Sequence, residues 1–279
     1  MKLSPRKKAM FQKMVMDFYA KHGRGSLPWR KGITAYKIYV SETMLQQTQV
    51  ERVIPFFKRW MQAFPTVRAL AQAPQSQVLA LWKGLGYNSR ALRMKKAAQE
   101  IVEKHRGIFP KTREAIQALP GIGPYTAGAI MAFAHNQPVV CIETNIRRVF
   151  IHHFFKDADR VHDRDILDVV EQVVDVHHPR EWYWALMDYG SFLAKTIPNP
   201  NRKSRHYAKQ SKFEGSNRQL RGKILGALLA AKKHAVSLER LAALLAALTH
   251  DRERVELVAA NLEKEGFVRI TGGNIILNQ

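Results

Sequence analysis

A short glycine-rich turn in the middle of the chain carries the residue types that bind an anion. The turn runs Leu119-Pro120-Gly121-Ile122-Gly123, and the residues from 124 to about 134 predict a helix directly after it. Glycine lets another backbone approach closely, and the unpaired amides and dipole at a helix N-terminus favour a phosphate. The sequence therefore predicts a phosphate-binding turn, although a tight connection between two helices would use the same residues.

The charge of the whole chain favours the same kind of partner. Lys and Arg number 45 against 23 Asp and Glu, which gives a formal net charge of +22. A field this positive attracts polyanions such as nucleic acid. Residues 199–216 form a basic linker that includes Arg202 and Lys203, and it is either a solvated loop or a second place of phosphate contact.

Several classes of protein are disfavoured by composition. We find no apolar run long enough to cross a membrane and no secretory leader, so we expect a cytoplasmic protein without a membrane partner. The single cysteine, Cys141, allows no intrachain disulfide and no cysteine-ligated zinc or iron–sulfur site. The histidine pairs at 152–153 and 177–178 lack further ligands of suitable type, so we expect no metal site.

Hydrophobic periodicity divides the chain into two regions with different predicted secondary structure. Residues 1–198 read as an all-α domain, with no strand predicted before residue 260. Residues 217–279 read as three helices followed by a β-hairpin, which is the order of a small α+β winged helix. Its third helix, with Arg252 and Arg254, would contact DNA, although winged helices also bind proteins. We expect this tail to fold independently.

Four further segments, taken with the turn, resemble one known family. They run Leu27-Pro28-Trp29-Arg30, Ser41-Glu42-Thr43-Met44-Leu45-Gln46-Gln47-Thr48-Gln49-Val50, Leu81-Trp82-Lys83-Gly84-Leu85-Gly86-Tyr87 and Ala185-Leu186-Met187-Asp188-Tyr189-Gly190. Over residues 5–193 the chain closely resembles the adenine DNA glycosylases of the helix-hairpin-helix glycosylase superfamily. The resemblance implies two helical lobes around a DNA-binding cleft. We expect residues 25–135 in one lobe, and the N-terminal helix with residues after 136 in the other.

The resemblance also implies roles for individual residues. Glu42 matches the catalytic glutamate that protonates the flipped purine at N7, a role that suits a partly desolvated carboxyl. Gln46 and Gln47 match residues that probe the opposed strand, and Tyr87 matches an aromatic wedge that fills the stack. The remaining candidates are Tyr125 and Asn145 in the catalytic set, and Thr48, Arg90, Leu119, Gly121, Gly123, Tyr125, Thr126 and Arg147 in the DNA-binding set.

The chain departs from the family at four places. Glu143 stands where the family has a catalytic aspartate, and we expect it to do the same work one methylene further out. Tyr125 stands where bifunctional relatives carry a lysine, so no Schiff-base lyase step is expected. The four cysteine positions of the family's cluster hold other residues, so no cofactor is expected; they are Ala194, Asn201, Ser204 and Gln210. The winged helix occupies the place of the family's Nudix-like domain.

These observations together predict a monofunctional DNA glycosylase. It would act as a monomer on duplex DNA, flip out adenine opposite 8-oxoguanine or guanine, and hydrolyse its N-glycosidic bond. Two alternatives stay open: a glycosylase for another mismatched or deaminated base, and a non-catalytic DNA-binding damage sensor. The presence of carboxylates at both Glu42 and Glu143 favours the enzyme, because a DNA-binding surface has no other use for two acids facing a polyanion.

Overall fold

The structure is a computed structural model that describes residues 1–209, 212–246, 249 and 251–279. In this part of the chain it is almost entirely helical, with one small sheet near the C-terminus. The helices in chain order are α1 (Pro5–His22), α2 (Ala35–Leu45), α3 (Val50–Ala63), α4 (Val67–Gln72), α5 (Gln75–Trp82), α6 (Ser89–His105), α7 (Arg113–Gln117), α8 (Pro124–Phe133), α9 (Thr144–Phe154), α10 (Asp163–Val173), α11 (Pro179–Thr196), α12 (Asn217–Ala230), α13 (Leu238–Leu245) and α14 (Arg252–Lys264).

The chain forms two compact units, and each is built from two separate segments. The first unit contains Met1–Gln46 and Phe109–Lys209, and the second contains Gln47–Ile108 and Gln210–Gln279. The predicted lobe division at residue 135 is wrong, because the glycine-rich turn lies in the same unit as α1, and residues 47–108 lie in the other unit. Amphipathic periodicity shows which face of a helix is buried but not which distant helix covers it.

The first unit is organised around α11. This helix packs against α9 and α1, and an aromatic cluster fills the space between them. The ring of Phe11 lies 5.4 Å from Phe150, 4.8 Å from Phe154 and 6.0 Å from Trp182, each in an edge-to-face arrangement. Helix α2 packs against α8 in the same unit, and this pairing carries the candidate site.

The second unit combines a helical layer with the C-terminal sheet. Trp82 packs edge-on against Trp60 at 5.6 Å between α5 and α3. Three short strands, β1 (Ala235–Ser237), β2 (Val268–Thr271) and β3 (Asn274–Leu277), form an antiparallel sheet of order β1-β3-β2. The predicted hairpin is confirmed, and both glycines of its turn, Gly272 and Gly273, adopt positive φ, as a two-residue hairpin turn requires.

Two short elements depart from the sequence prediction. Strand β1 precedes residue 260, so the prediction of no earlier strand is wrong; three residues are too few to show an alternating pattern. Helix α4 was not predicted, and it has only six residues.

In the described part of the chain, no helix is both long and apolar enough to cross a membrane.

Candidate active site

Glu42 lies on a helix that is buried on nearly all sides. Thr34 caps the N-terminus of α2 by accepting from the Lys37 amide at 3.2 Å, and residues 36 and 38–44 of this helix are all buried. The hydroxyls beside Glu42 bond within the helix, Ser41 to the Ile38 carbonyl at 3.0 Å and Thr43 to the Tyr39 carbonyl at 2.8 Å. Glu42 is therefore an acid in an apolar setting, and its side chain needs a partner from another element.

Tyr125, in the first turn of α8, provides that partner. Its hydroxyl donates to Oε2 of Glu42 at 2.7 Å. The pKa of Glu42 is raised to about 7, mainly by burial and also by the Glu143 charge, while the Tyr125 hydrogen bond and the Arg30 charge act in the opposite direction. A carboxyl with this pKa carries its proton for much of the time at neutral pH and can act as a general acid.

Glu143 caps the N-terminus of α9. One of its carboxylate oxygens accepts from the backbone amides of Asn145 at 2.5 Å and Ile146 at 2.8 Å. The Asn145 amide group donates to the other oxygen at 3.3 Å. The pKa of Glu143 is raised overall, because the effect of burial outweighs the opposing effects of the two amides and of the Arg148 and Arg147 charges.

The three side chains form one electrostatic cluster inside the first unit. Burial raises the pKa of Tyr125 well above its usual value, and the charges of Glu42 and Glu143 raise it further. Cys141 is buried beside them, and burial raises the pKa of its thiol to about 12. The cysteine is therefore a neutral thiol, and Glu42, Glu143 and Tyr125 are the groups with chemistry to offer.

Two contacts fix the start of α9, where Glu143 sits. Arg148 donates to Oδ1 of Asn145 at 2.7 Å and to the Gly190 carbonyl of α11 at 2.8 Å. A Cβ atom on Gly190 would lie 2.4 Å from the Asn145 carbonyl oxygen, so only glycine lets the two helices approach this closely. Asn145 thus helps to hold the Glu143 carboxylate in place, and its assignment to the catalytic set stays a prediction.

A buried ion pair near Glu42 escaped the sequence analysis. Arg30 donates twice to the Asp188 carboxylate, at 2.7 and 2.8 Å, and Arg24 adds further bonds to the same group. Burial raises the pKa of Asp188, but the bonds and charges of Arg30 and Arg24 outweigh it and lower the pKa overall. Arg30 and Asp188 both occur in the family segments, but they are 158 positions apart in the chain, so the sequence alone does not show that they pair.

The glycine-rich turn adopts the geometry that an anion-binding helix start needs. Gly121 has a φ of 75°, and Gly123 is the N-cap of α8 with open space where a side chain would be. The side chains of Leu119 and Thr126 are buried, so these two predicted DNA contacts can involve only their main chains. The first amides of a helix lack intrahelical partners, and here they face an open surface.

The predicted strand-probing residues are exposed. Gln46 ends α2, and Gln47 follows with a φ of 56°, while Thr48 is half-buried. Tyr87 has a φ of 47° and is 38% exposed, an unusual conformation and setting for a large aromatic residue. Its hydroxyl accepts a hydrogen bond from Arg218 at 2.6 Å.

Three predicted DNA-binding arginines have hydrogen-bond partners within the protein. The guanidinium of Arg90 is buried and donates to the carbonyls of the 85–86 loop, Arg147 forms a bidentate pair with Asp163 at 2.7 and 2.8 Å, and Arg254 binds the residues that begin α12. These contacts hold loops and helix ends, and the assignment of the three side chains to DNA stays a prediction.

The other basic candidates differ in their surroundings. Lys203 donates to the Lys156 carbonyl, and Arg252 pairs with Glu256 one helical turn along at 2.9 Å. Arg202 is exposed at the surface. Arg202 is thus accessible to a phosphate. The exposed ion pair of Arg252 contributes little to the stability of the protein.

The residues at the family's cysteine positions do not fit an iron–sulfur cluster. Ala194 is exposed, Asn201 is buried and donates to the Thr144 carbonyl at 2.9 Å, and the Ser204 hydroxyl accepts from the His206 amide at 3.1 Å. Gln210 lies outside the described residues. Among the residues that the structure describes, no group of three or more His, Cys, Asp or Glu is placed to hold a metal ion.

Comparison with known proteins agrees with this architecture. Residues 40–171 match the family described as HhH-GPD superfamily base excision DNA repair protein. A solved thermostable thymine-DNA glycosylase superimposes with a TM-score of 0.62, covering 68% of this chain and 88% of that one at 24% identity. The helical fold is thus that of a helix-hairpin-helix repair protein.

Two relatives indicate more narrowly to which class of repair protein the chain belongs. The adenine DNA glycosylase of Mycolicibacterium smegmatis is 35% identical over 226 residues, which cover 74% of this chain and 76% of that protein. The adenine DNA glycosylase of Buchnera aphidicola subsp. Acyrthosiphon pisum is 35% identical over 193 residues, 68% of this chain but only 55% of that protein. The chain therefore belongs to the HhH-GPD superfamily, within the family of the adenine DNA glycosylases, and it spans about half the length of the Buchnera relative.

Proposed function

We infer that this chain is a monofunctional DNA glycosylase that removes adenine, mispaired with 8-oxoguanine or guanine, from duplex DNA. The observation that carries this proposal is the hydrogen bond between the buried Glu42 and the half-buried Tyr125. A carboxyl with a pKa of about 7 can give a proton at neutral pH, and adenine leaves poorly unless protonated. Such a shift, caused by burial beside a specific hydrogen-bond donor, is typical of catalytic acids.

The proposed chemistry uses the two carboxyl groups differently. Glu42 gives its proton to N7 of a flipped adenine, and the C1′–N9 bond breaks with its electrons passing to the base. In its anionic form, which accepts from the Asn145 and Ile146 amides, Glu143 stabilises the positive charge that develops on the sugar. Water adds to C1′, and its proton passes to the Glu42 carboxylate, which restores the acid.

The absence of a lyase step belongs to the same proposal. Schiff-base chemistry needs a nucleophilic amine, and the residue that contacts Glu42 from α8 is Tyr125. We therefore propose that the product is an intact abasic strand, which breaks only when alkali is added.

The experiment is a strand-cleavage assay across a panel of duplexes. Each duplex carries one adenine opposite 8-oxoguanine, guanine, cytosine or thymine, or one mismatched or deaminated base in place of adenine. We expect alkali-dependent cleavage at adenine opposite 8-oxoguanine or guanine, and no cleavage without alkali. Glu171→Gln, which alters an exposed acid of α10 in the same unit, is the matched control and should cleave like the wild type.

Each alternative has its own result in this panel. Cleavage at a different base with adenine untouched would replace the proposed substrate. Tight duplex binding with no cleavage anywhere would favour a non-catalytic damage sensor. Strand breaks without alkali would contradict the proposed absence of a lyase step.

A further inference from the structure

A short 3₁₀ helix, Pro200–Lys203, lies against α9 in the first unit. Asn199 caps its start, where the Asn199 side-chain oxygen accepts from the Asn201 amide at 3.1 Å. At its far end the Lys203 carbonyl accepts from the Val161 amide at 2.8 Å. The chain is therefore fixed on both sides of Asn201, the residue of this segment that reaches α9.

The buried side chain of Asn201 makes a hydrogen bond to the first residue of α9. Asn201 is 5% exposed, and its Nδ2 atom donates to the Thr144 carbonyl at 2.9 Å. The acceptor is a carbonyl oxygen, so the side chain at this position must offer a hydrogen, as the nitrogen of an amide group does. Asn201 occupies one of the family's cysteine positions, and here that position supplies a donor to the main chain of α9.

The Thr144 carbonyl belongs to a peptide group that also holds Glu143. This planar group has the Thr144 carbonyl at one end and the Asn145 amide at the other. Its carbonyl accepts from Asn201, and its amide donates to the Glu143 carboxylate at 2.5 Å. Hydrogen bonds in a chain polarise one another, so a donor at the carbonyl makes the amide a stronger donor. The bond from Asn201 thus acts on the Glu143 carboxylate through a single peptide group.

We propose that Asn201 is a positioning residue for Glu143, which fixes and polarises the peptide group between Thr144 and Asn145 and so supports the carboxylate in its anionic form. The proposal rests on the inferred action of Glu143 in the glycosylase reaction. A bond that served only stability would hold the 3₁₀ helix in place and leave the charge of Glu143 unaffected.

The ionisable groups around Glu143 are unchanged when the uncharged Asn201 is substituted. Those that interact electrostatically with Glu143 are Glu42 of α2, Tyr125 of α8, Cys141 in the loop before α9, and Arg147 and Arg148 of α9, of which Arg147 is paired with Asp163 of α10. Loss of the Asn201 bond weakens the Asn145 amide as a donor and disfavours the carboxylate. The pKa of Glu143 should therefore rise in Asn201→Ala, so that Glu143 loses its charge at a higher pH.

The Asn145 amide gives a direct measure of the bond to Glu143. In the full-length protein labelled with ¹⁵N-asparagine, its NMR signal is identified by its loss in Asn145→Gln. Asn201→Ala should move this signal upfield and shift its titration to higher pH. The matched control is Ser204→Ala, which removes another buried side chain of the same segment, whose hydroxyl accepts from the His206 amide at 3.1 Å. It should leave the Asn145 signal in place.

Single-turnover excision from a saturating adenine–8-oxoguanine duplex gives a second readout. If the anionic form of Glu143 is required, excision declines as the pH falls, and this decline should begin at a higher pH in Asn201→Ala. The decline at high pH belongs to Glu42 and should stay in place. At acidic pH Asn201→Ala should be about tenfold slower than the wild type, a smaller loss than a displacement of about 1 Å causes. Ser204→Ala should follow the wild-type profile.

Thermal unfolding by circular dichroism verifies that each variant is folded. Asn199→Ala, which removes the bond to the Asn201 main chain, should produce the same shifts to a smaller degree, and it replaces Asn201→Ala if that variant does not fold.

The outcomes distinguish the positioning role from the proposed reaction. An unchanged Asn145 signal and an unchanged acid decline in Asn201→Ala, with excision present, would overturn the role of Asn201 and leave the glycosylase standing. Equal shifts of the signal in Asn201→Ala and Ser204→Ala would mean that Asn201 only stabilises its segment, which also overturns the proposal. The expected NMR shifts in a protein that excises no base would support the role of Asn201 and overturn the proposed reaction.

Discussion

At the scale of single residues, ionisation of the buried Glu42 carboxyl lowers the free energy of unfolding of the protein. Burial raises its pKa from 4.5 to about 7. A group whose pKa is higher in the folded state contributes stability below its unfolded pKa and loses that contribution as the pH rises through the folded value. The loss of folding stability caused by Glu42 therefore develops between about pH 4.5 and 7 and is complete at higher pH.

The first prediction follows from this linkage. Glu42→Gln cannot ionise, so its free energy of unfolding relative to the wild type should rise between pH 5 and pH 9, by up to roughly 3 kcal/mol. Urea unfolding of both proteins at the two pH values measures the change. An equal difference at both pH values would mean that Glu42 does not titrate as a buried carboxyl.

The second prediction concerns Tyr125. If the protonated form of Glu42 is the active form, single-turnover excision should decline as the pH rises through about 7. The Tyr125 hydrogen bond lowers the pKa of Glu42, so Tyr125→Phe should move this decline to higher pH. The pH–rate profiles of the two proteins provide the test, and a decline that stays in place or moves to lower pH would contradict the assignment.

The third prediction concerns Glu143, which is both a helix cap and a proposed electrostatic group. Glu143→Gln keeps an oxygen that can accept from the Asn145 and Ile146 amides, but it removes the charge. We expect excision to be about 100-fold slower, while Glu143→Asp, which keeps the charge, should retain more activity than Glu143→Gln. Wild-type excision in Glu143→Gln would reduce Glu143 to a helix cap.

The residue types of the site could be predicted from the sequence, but their partners could not. Glu42, Tyr125 and Glu143 were named from short segments, and the structure brings Glu42 and Tyr125 together across 83 positions of chain. Arg90 and Arg147 were predicted to contact DNA, and the structure shows that both bond within the protein. Their protein partners depend on tertiary contacts that spacing does not encode.

At the scale of elements, helices were predicted well where they were long and amphipathic. Residues 1–198 were expected to be all-α and contain long helices such as α6, and the three helices expected in the tail are α12, α13 and α14. Ser237 and Asp251 cap the last two of them. The short α4 and β1 were missed, since six and three residues barely complete a period. Local periodicity therefore predicts elements of three turns or more and loses the brief ones.

The fourth prediction concerns the segment that lacks the family's cysteines. Asn201 is buried, and its amide donates to the Thr144 carbonyl, one residue after Glu143. Asn201→Ala should lower the free energy of unfolding by about 1 kcal/mol, because it removes the hydrogen bond that the buried Asn201 side chain donates. Arg202→Ala, at the exposed neighbouring position, is the control. Equal stability of both variants would mean that the bond contributes nothing to this segment.

At the scale of the whole molecule, composition predicted the class of partner, while chain topology escaped prediction. The formal charge of +22 by itself favours nucleic acid as a partner. The tail was expected to fold independently, but residues 210–279 share a compact unit with residues 47–108. Gln75 of α5 donates to the Gly266 and Phe267 carbonyls within that unit, so an isolated tail would lose these bonds.

The most direct test of the account measures excision by Glu42→Gln under single-turnover conditions. Glutamine keeps the size of the side chain and can still accept from Tyr125, but it has no acidic proton. With saturating adenine–8-oxoguanine duplex, we expect excision to fall by about 100-fold to 10,000-fold, with the dissociation constant of the duplex within about twofold of the wild type. Excision at the wild-type rate by Glu42→Gln would contradict the central claim that this buried carboxyl supplies the proton.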